Sequence, residues 1–184
     1  MRATHEKKRG FSLIELLIVA SLMAILAAFS IPQFRGFQKR SIAENSAADL
    51  ESSIKLAQSM ARSGVQNQMG AGKIDYYGFA LQQLSGSPGC YGGYFIQPFD
   101  KNGNAVGSAL GYTKVSCPVV LTSAQNEVDF QTITGLVTNI GADSADISVC
   151  YPGEGAIPVT IYKDGKVVKG EFDDSASCSC PCNP

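Results

Sequence analysis

From Phe11 to Ile31 the chain reads FSLIELLIVASLMAILAAFSI, and its one formal charge there is Glu15. An ionised side chain costs on the order of 2.5–3.5 kcal/mol at the centre of a hydrocarbon layer, and less near its edge. A carboxylate so placed needs a cationic partner, and the run offers none. The partner has to come from another chain or from a new amino terminus. The second set of reactive side chains is the six cysteines, Cys90, Cys117, Cys150, Cys178, Cys180 and Cys182. An even count downstream of an export segment reads as a disulfide framework. Six cysteines allow about 15 connectivities, and about six of these pair every tail cysteine outward. In the tail segment CSCPC the cysteines alternate, so in an extended chain they face one way. We expect them to staple the chain's end to a sheet. A thiolate metal cluster is the alternative, disfavoured by an oxidising compartment and by the lack of histidine.

Other chemistry is sparse. The single histidine, His5, precedes the apolar run, which leaves no histidine-based acid–base set or triad beyond it. No phosphate-binding or dinucleotide fingerprint is present. The segment DKNGN sets Asp100, Asn102 and Asn104 at alternate positions, as in a calcium loop. It lacks the glycine after Asn104 and the bidentate Glu that such loops use, so a hairpin turn is the expectation and no cofactor is assigned.

Charge is nearly balanced at −1 over 184 residues, with none of the basic excess of a nucleic-acid binder. Removing residues 1–10 takes away four basic residues and one acid, which leaves about −4, a mildly acidic surface. The length suits one domain plus an anchor. There are 19 glycines and 8 prolines, most of them after residue 63, which suits strands and turns better than helices.

The 21 residues Phe11–Ile31 cover roughly 30 Å as a helix, the thickness of a bilayer core. A cleaved secretory signal fits poorly, since the run is too long and ends in no small-x-small pattern. Basic residues before it place the N-terminus in the cytoplasm, although Arg35, Lys39 and Arg40 follow on the far side.

These residues carry a resemblance. The basic KKRG, then Phe11, then Glu15 as the fifth residue after Gly10, and Pro32 closing the apolar run, resemble the N-terminus of type IV pilins and pseudopilins. The stretch that follows, IPQFRGFQKRSIAENSAADLESS, is similar to type IVa pilins in particular. The resemblance covers roughly residues 7–63. It implies a leader, residues 1–10, cut by a prepilin peptidase between Gly10 and Phe11, with methylation of the new Phe11 amine. It implies an inner-membrane precursor, an inner-membrane assembly platform as partner, and a homopolymeric filament whose core is built from residues 11–32. Glu15 would pair with the Phe11 amine of a neighbouring copy. Major pilin, minor pilin and type II secretion pseudopilin all share this N-terminus, and some pseudopilins bind calcium near the C-terminus. The reading from another class is a membrane-tethered periplasmic binding domain that never polymerises. Glu15 and the cleavage-like RGF argue against it.

Beyond the apolar run, Ala43, Ala47, Leu50, Ile54, Ala57 and Ala61 recur at steps of 4 and 3, a helical stripe. Glu51, Lys55, Gln58 and Arg62 form the expected polar face, and Gly64 a stop. One helix of about 80 Å, from near Phe11 to near Ser63, is expected, with a kink at Pro32. Its second half, residues 33–63, is amphipathic and has to lie on something. Residues 64–184 make the head. A long connection over 64–93 is expected, with a short helix near Tyr77–Leu84. Strands are expected in GYFIQPF, ADISVCY and the hairpin VTIYKDGKVVKG, and KVSCPVVL serves at best as an edge. The fold class is α+β, with the long helix packed on an antiparallel sheet of about four strands and a disulfide-stapled tail.

Overall fold

The stripe from Ala43 to Ala61 is fully buried at all six positions. Four of the six are alanines, whose small side chains let a sheet approach the helix axis closely. The computed structural model describes residues 12–64, 73–141, 143–178 and 180, with residues 28–35 described as helix alone. The chain divides into two units, Met1–Gln38 and Lys39–Pro184. Helix α1, Leu13–Ser63, contributes to both, and Pro32 falls inside it.

In the second unit α1 packs against an antiparallel sheet. Its strands are β1 Tyr76–Gln83, β2 Cys90–Phe99, β3 Leu110–Lys114, β4 Val120–Ser123, β5 Glu127–Gln131, β6 Ser144–Tyr151, β7 Gly155–Tyr162 and β8 Val167–Lys169. Their order is β5-β1-β2-β4-β6-β7-β8, with β3 also paired to β2. Period-two alternation sends one set of side chains to the helix. Phe79, Ile96, Leu121, Ile147, Val159 and Ile161 join the α1 stripe in one core. The opposite set, Cys90, Val120, Cys150 and Ala156, forms a smaller cluster with Cys180 on the far face.

That far face is where the tail attaches. Cys90 on β2 bonds Cys180, and Cys150 on β6 bonds Cys178. The chain's end is thus stapled to the sheet, as the alternating cysteines imply. Cys117 is disulfide-bonded too, and Cys182, the sixth cysteine, lies outside the described residues.

Several expectations need correction. The sheet has eight strands, not about four. The stretch expected as a helix near Tyr77–Leu84 is β1, since Tyr77, Phe79 and Leu81 alternate inward as a strand requires. KVSCPVVL is no edge strand. Pro118 falls in the connection between β3 and β4, and β4 lies between β2 and β6. Gln58 is buried rather than on the polar face. Its Nε2 donates to the Gly165 carbonyl at 2.7 Å and the Gly135 carbonyl at 3.2 Å, which ties α1 to two loops. The Asp164-Gly165 hairpin forms as expected. Gly165 takes φ 81°, where a side chain would be strained and would run into Gln58. The turn at Asn102-Gly103 also forms, closed by a bridge between Phe99 and Ala105.

The helix is fastened at both ends of its packed half. Lys39 pairs with Glu154 in the β6–β7 turn, and the Arg40 guanidinium lies 5.6 Å from the Phe172 ring centroid. At the other end the Ala61 carbonyl accepts N–H bonds from Gly64 at 3.2 Å and from Ile133 at 2.8 Å.

Three losses of stability are expected, each read by urea unfolding of the full chain in detergent micelles. Replacing Cys150 and Cys178 together by Ser should cost about 3–4 kcal/mol, and replacing Cys90 and Cys180 about 4–5 kcal/mol, because the second bridge closes the longer loop. Equal losses would contradict a chain-entropy origin. Gln58→Ala should cost about 2–3 kcal/mol by leaving two buried carbonyls without a donor. A loss under about 0.5 kcal/mol would deny Gln58 its tethering role.

Candidate assembly segment

The first unit is described from Ser12 onward, and α1 opens there. The N–H groups of Glu15 and Leu16 donate to the Ser12 carbonyl at 3.1 and 3.2 Å. Glu15 therefore lies in the first helical turn. The helix dipole presents its positive end at that turn, which favours a carboxylate by about 0.3–1 kcal/mol. Ser12 and Glu15 also have the spacing of a capping box. This local role is missing from the expectations above, although the S-x-x-E signal could have revealed it. It does not supply a counter-charge. Among the described residues no ion pair or hydrogen bond engages the Glu15 carboxylate.

Around Glu15 the helix is apolar on every side. Leu13, Ile14, Leu16, Leu17, Leu22 and Met23 are 56–81% exposed. Successive helical positions step about 100° around the axis, so 13, 14, 16 and 17 point in four different directions. An amphipathic surface helix keeps one apolar stripe. One that is apolar all round belongs in lipid or inside a bundle. Among the described residues no helix is long and apolar enough to cross a membrane. The expected span, residues 11–32, reaches beyond the described side chains at both ends.

The structure places the remaining expected site residues as follows. Gly10 and Phe11 lie outside the described residues, and Pro32 is within α1. The cysteines are in the head, far along the sequence from Glu15. The Asp100 loop satisfies itself. Asp100 Oδ1 accepts from the backbone N–H of Asn102 and of Asn104, each at 2.8 Å, and Oδ2 accepts from Asn104 Nδ2 at 3.0 Å. The Asn104 side-chain and backbone bonds, then those of Asn102, hold the Asp100 carboxyl below its usual range. The loop borders an open cavity of about 520 Å³ with Lys73 and Asp75 on its rim.

The family model of the prokaryotic N-terminal methylation motif matches residues 6–31. The chain carries a prokaryotic N-terminal methylation motif. That signal takes in Gly10, Phe11 and Glu15, and stops one residue before Pro32. Among solved structures, the type IV minor pilin FimU of Pseudomonas aeruginosa overlaps this chain with a TM-score of 0.49 and 14% identity, over 74% of this chain and 97% of that one. No curated protein matches this chain.

Proposed function

We propose that the chain is a structural subunit of a type IV pilus, polymerising through its N-terminal helix into a cell-surface filament. The observation that carries this reading is Glu15. It is a carboxylate without a described counter-charge, in the first turn of a helix that is exposed and apolar all round, within a methylation signal. In this reading a prepilin peptidase cuts after Gly10 and methylates the Phe11 amine. The precursor waits in the inner membrane, where an assembly platform collects it. The apolar helices then bundle, and the Glu15 carboxylate meets the Phe11 amine of a neighbouring copy. The filament's role in motility, adhesion or DNA uptake would be set by the head.

The magnitudes favour register over bulk stability as the role of the pair. Lipid and a helix bundle are equally apolar, so bulk association comes from the sum of many packing contacts between helices of neighbouring copies. A single ion pair adds little beside that sum. Its loss on one side is a different matter, since an uncompensated buried charge costs about 3–5 kcal/mol. Misaligned copies are therefore penalised and aligned ones tolerated. A head cross-linked by disulfides suits a fibre exposed to the medium, which favours a pilin over a secretion pseudopilin.

The test is filament yield from cells in which this chain is the sole pilin. Glu15→Ala should leave insertion and cleavage largely intact, since Ala suits an apolar helix better than Glu. Its local cost at the helix start is about 1 kcal/mol or less. Sheared filament relative to membrane-bound subunit should nevertheless fall sharply, and Glu15→Gln should be nearly as damaging because shape is kept and charge is lost. Wild-type yield from both variants would remove the pairing role. Gly10→Leu should block processing by obstructing the peptidase's approach to the scissile backbone. Mature-size protein from that variant would contradict the cleavage step.

A further inference from the structure

On the outward face of the sheet two acids lie together without a counter-charge. β1 and β5 pair so that Gly78 stands opposite Asp129 and Ala80 opposite Glu127. Val128 and Phe130 are buried in the core, which puts Glu127 and Asp129 on the other face. Both carboxylates fold in over Gly78. A Cβ on that glycine would collide with Glu127 Oε1 and stand 2.7 Å from the Phe99 ring and 3.1 Å from Asp129 Oδ1. Those same two carboxylate oxygens are shut off from water, and among the described residues neither has a hydrogen-bond partner. Phe99, stacked on Tyr76 with ring centroids 5.1 Å apart, walls the hollow on the β2 side.

The groups around the pair do nothing to neutralise it. β1 contributes the Tyr76 phenol, on which both acids act, and the turn after β2 contributes the Asp100 carboxylate, which also acts on Tyr76. From β2, Gln97 gives its amide N–H groups to the Pro98 and Gly107 carbonyls. After β5, Asn139 accepts from the Asp129 N–H at 2.9 Å and donates to the Glu127 carbonyl at 3.1 Å, so its amide serves the backbone. Among the described residues no lysine or arginine acts on either carboxylate.

We propose that Glu127 and Asp129 form a proton-dependent latch: the pair keeps a proton while folded over Gly78, and losing it sends a carboxylate out to water and loosens the β1–β5 edge. Burial first, and the Glu127 charge second, hold the Asp129 carboxyl up at about 6. Burial raises Glu127 as well. The closed pair thus binds its proton more tightly than the opened pair does. The contribution is fully present below the ordinary aspartate value of 3.8 and is lost as pH rises through about 6. Asp100 and Asp173, whose carboxyls are lowered by their turn hydrogen bonds, work in the opposite sense and lose their contribution as pH falls. The latch reaches further than its own strand. β5 runs directly into the loop whose Ile133 N–H caps the Ala61 carbonyl at the end of α1, so the edge and the helix terminus loosen together.

NMR on the full chain in detergent micelles tests this, by following the carboxyl carbons of Asp129 and Glu127 through a pH titration and the backbone amides of β5 by hydrogen exchange. Asp129 should titrate near 6. The opening equilibrium of β5, corrected for intrinsic exchange, should rise about tenfold between about pH 4.5 and about 7.5, solvent screening having reduced the full effect of the shift. Asp129→Asn should reduce that rise to the smaller share left by Glu127, and Glu127→Gln should lower the Asp129 titration point. If Asp129→Asn does not fold, the wild-type titration and the Glu127→Gln shift decide between the outcomes. Titration of both carboxyls below about 4.5, or an unchanged pH dependence of β5 exchange in Asp129→Asn, overturns the latch.

Discussion

Removing one methylene from water releases about 0.8 kcal/mol, and between Leu13 and Leu26 helix α1 holds a dense set of exposed methylenes and methyls. The rest of the design follows from where that surface can go. Lipid takes it readily, and so does a bundle of like helices. Because both solvents are equally apolar, hydrophobicity alone decides neither the direction of transfer nor the alignment of copies. A polar interaction has to do that, and Glu15 is the one ionisable side chain in the described part of the segment. A carboxylate at a helix start is tolerable alone and becomes specific once a cation is set against it.

The head meets the complementary demand. In the proposed filament subunit it would have to remain folded while its helix changes surroundings, so its stability should rest on contacts within residues 39–184. The alanine-rich stripe of α1 sits against one face of the sheet, and the described disulfides Cys90–Cys180 and Cys150–Cys178 hold the tail on the other. The packed half of the helix is held at its start by Lys39 and Arg40, near its end by Gln58, and at the last turn by Ile133 and Gly64. The packed half is thus held by two basic side chains at its start, one buried amide and a backbone cap at its last turn.

How much of this was legible in the sequence depended on range. The stripe from Ala43 to Ala61 was legible because helical period is local, and the hairpin at Asp164-Gly165 because its turn needs two particular residues. β1 was misread as helix, although Tyr77, Phe79 and Leu81 carry a clean period of two. The glycine among them, Gly78, makes room for side chains from β5, and that need is invisible without the partner strand. β5 itself, EVDFQ, has two acids in five residues and resembles a loop until its alternation is seen against β1. Gln58 looked like a solvent residue because the carbonyls it serves lie 77 and 107 positions away. The disulfide framework was legible as a count and a tail pattern, whereas the choice of Cys90 for Cys180 and Cys150 for Cys178 depends on which strands neighbour each other. Of the assembly segment, Glu15 stood out as an acid in oil, and its second role at the helix start was hidden behind the first.

In the proposed function this chain is processed at Gly10 and leaves the membrane as a polymer. Intact-mass spectrometry of material sheared from the cell surface tests it most directly, since one spectrum reports location, start point and modification together. A processed filament subunit should appear there as a chain that begins at Phe11 with a methylated amine and retains its disulfides. Recovery of the chain solely from the membrane fraction, still beginning at Met1 and unmethylated, would contradict it.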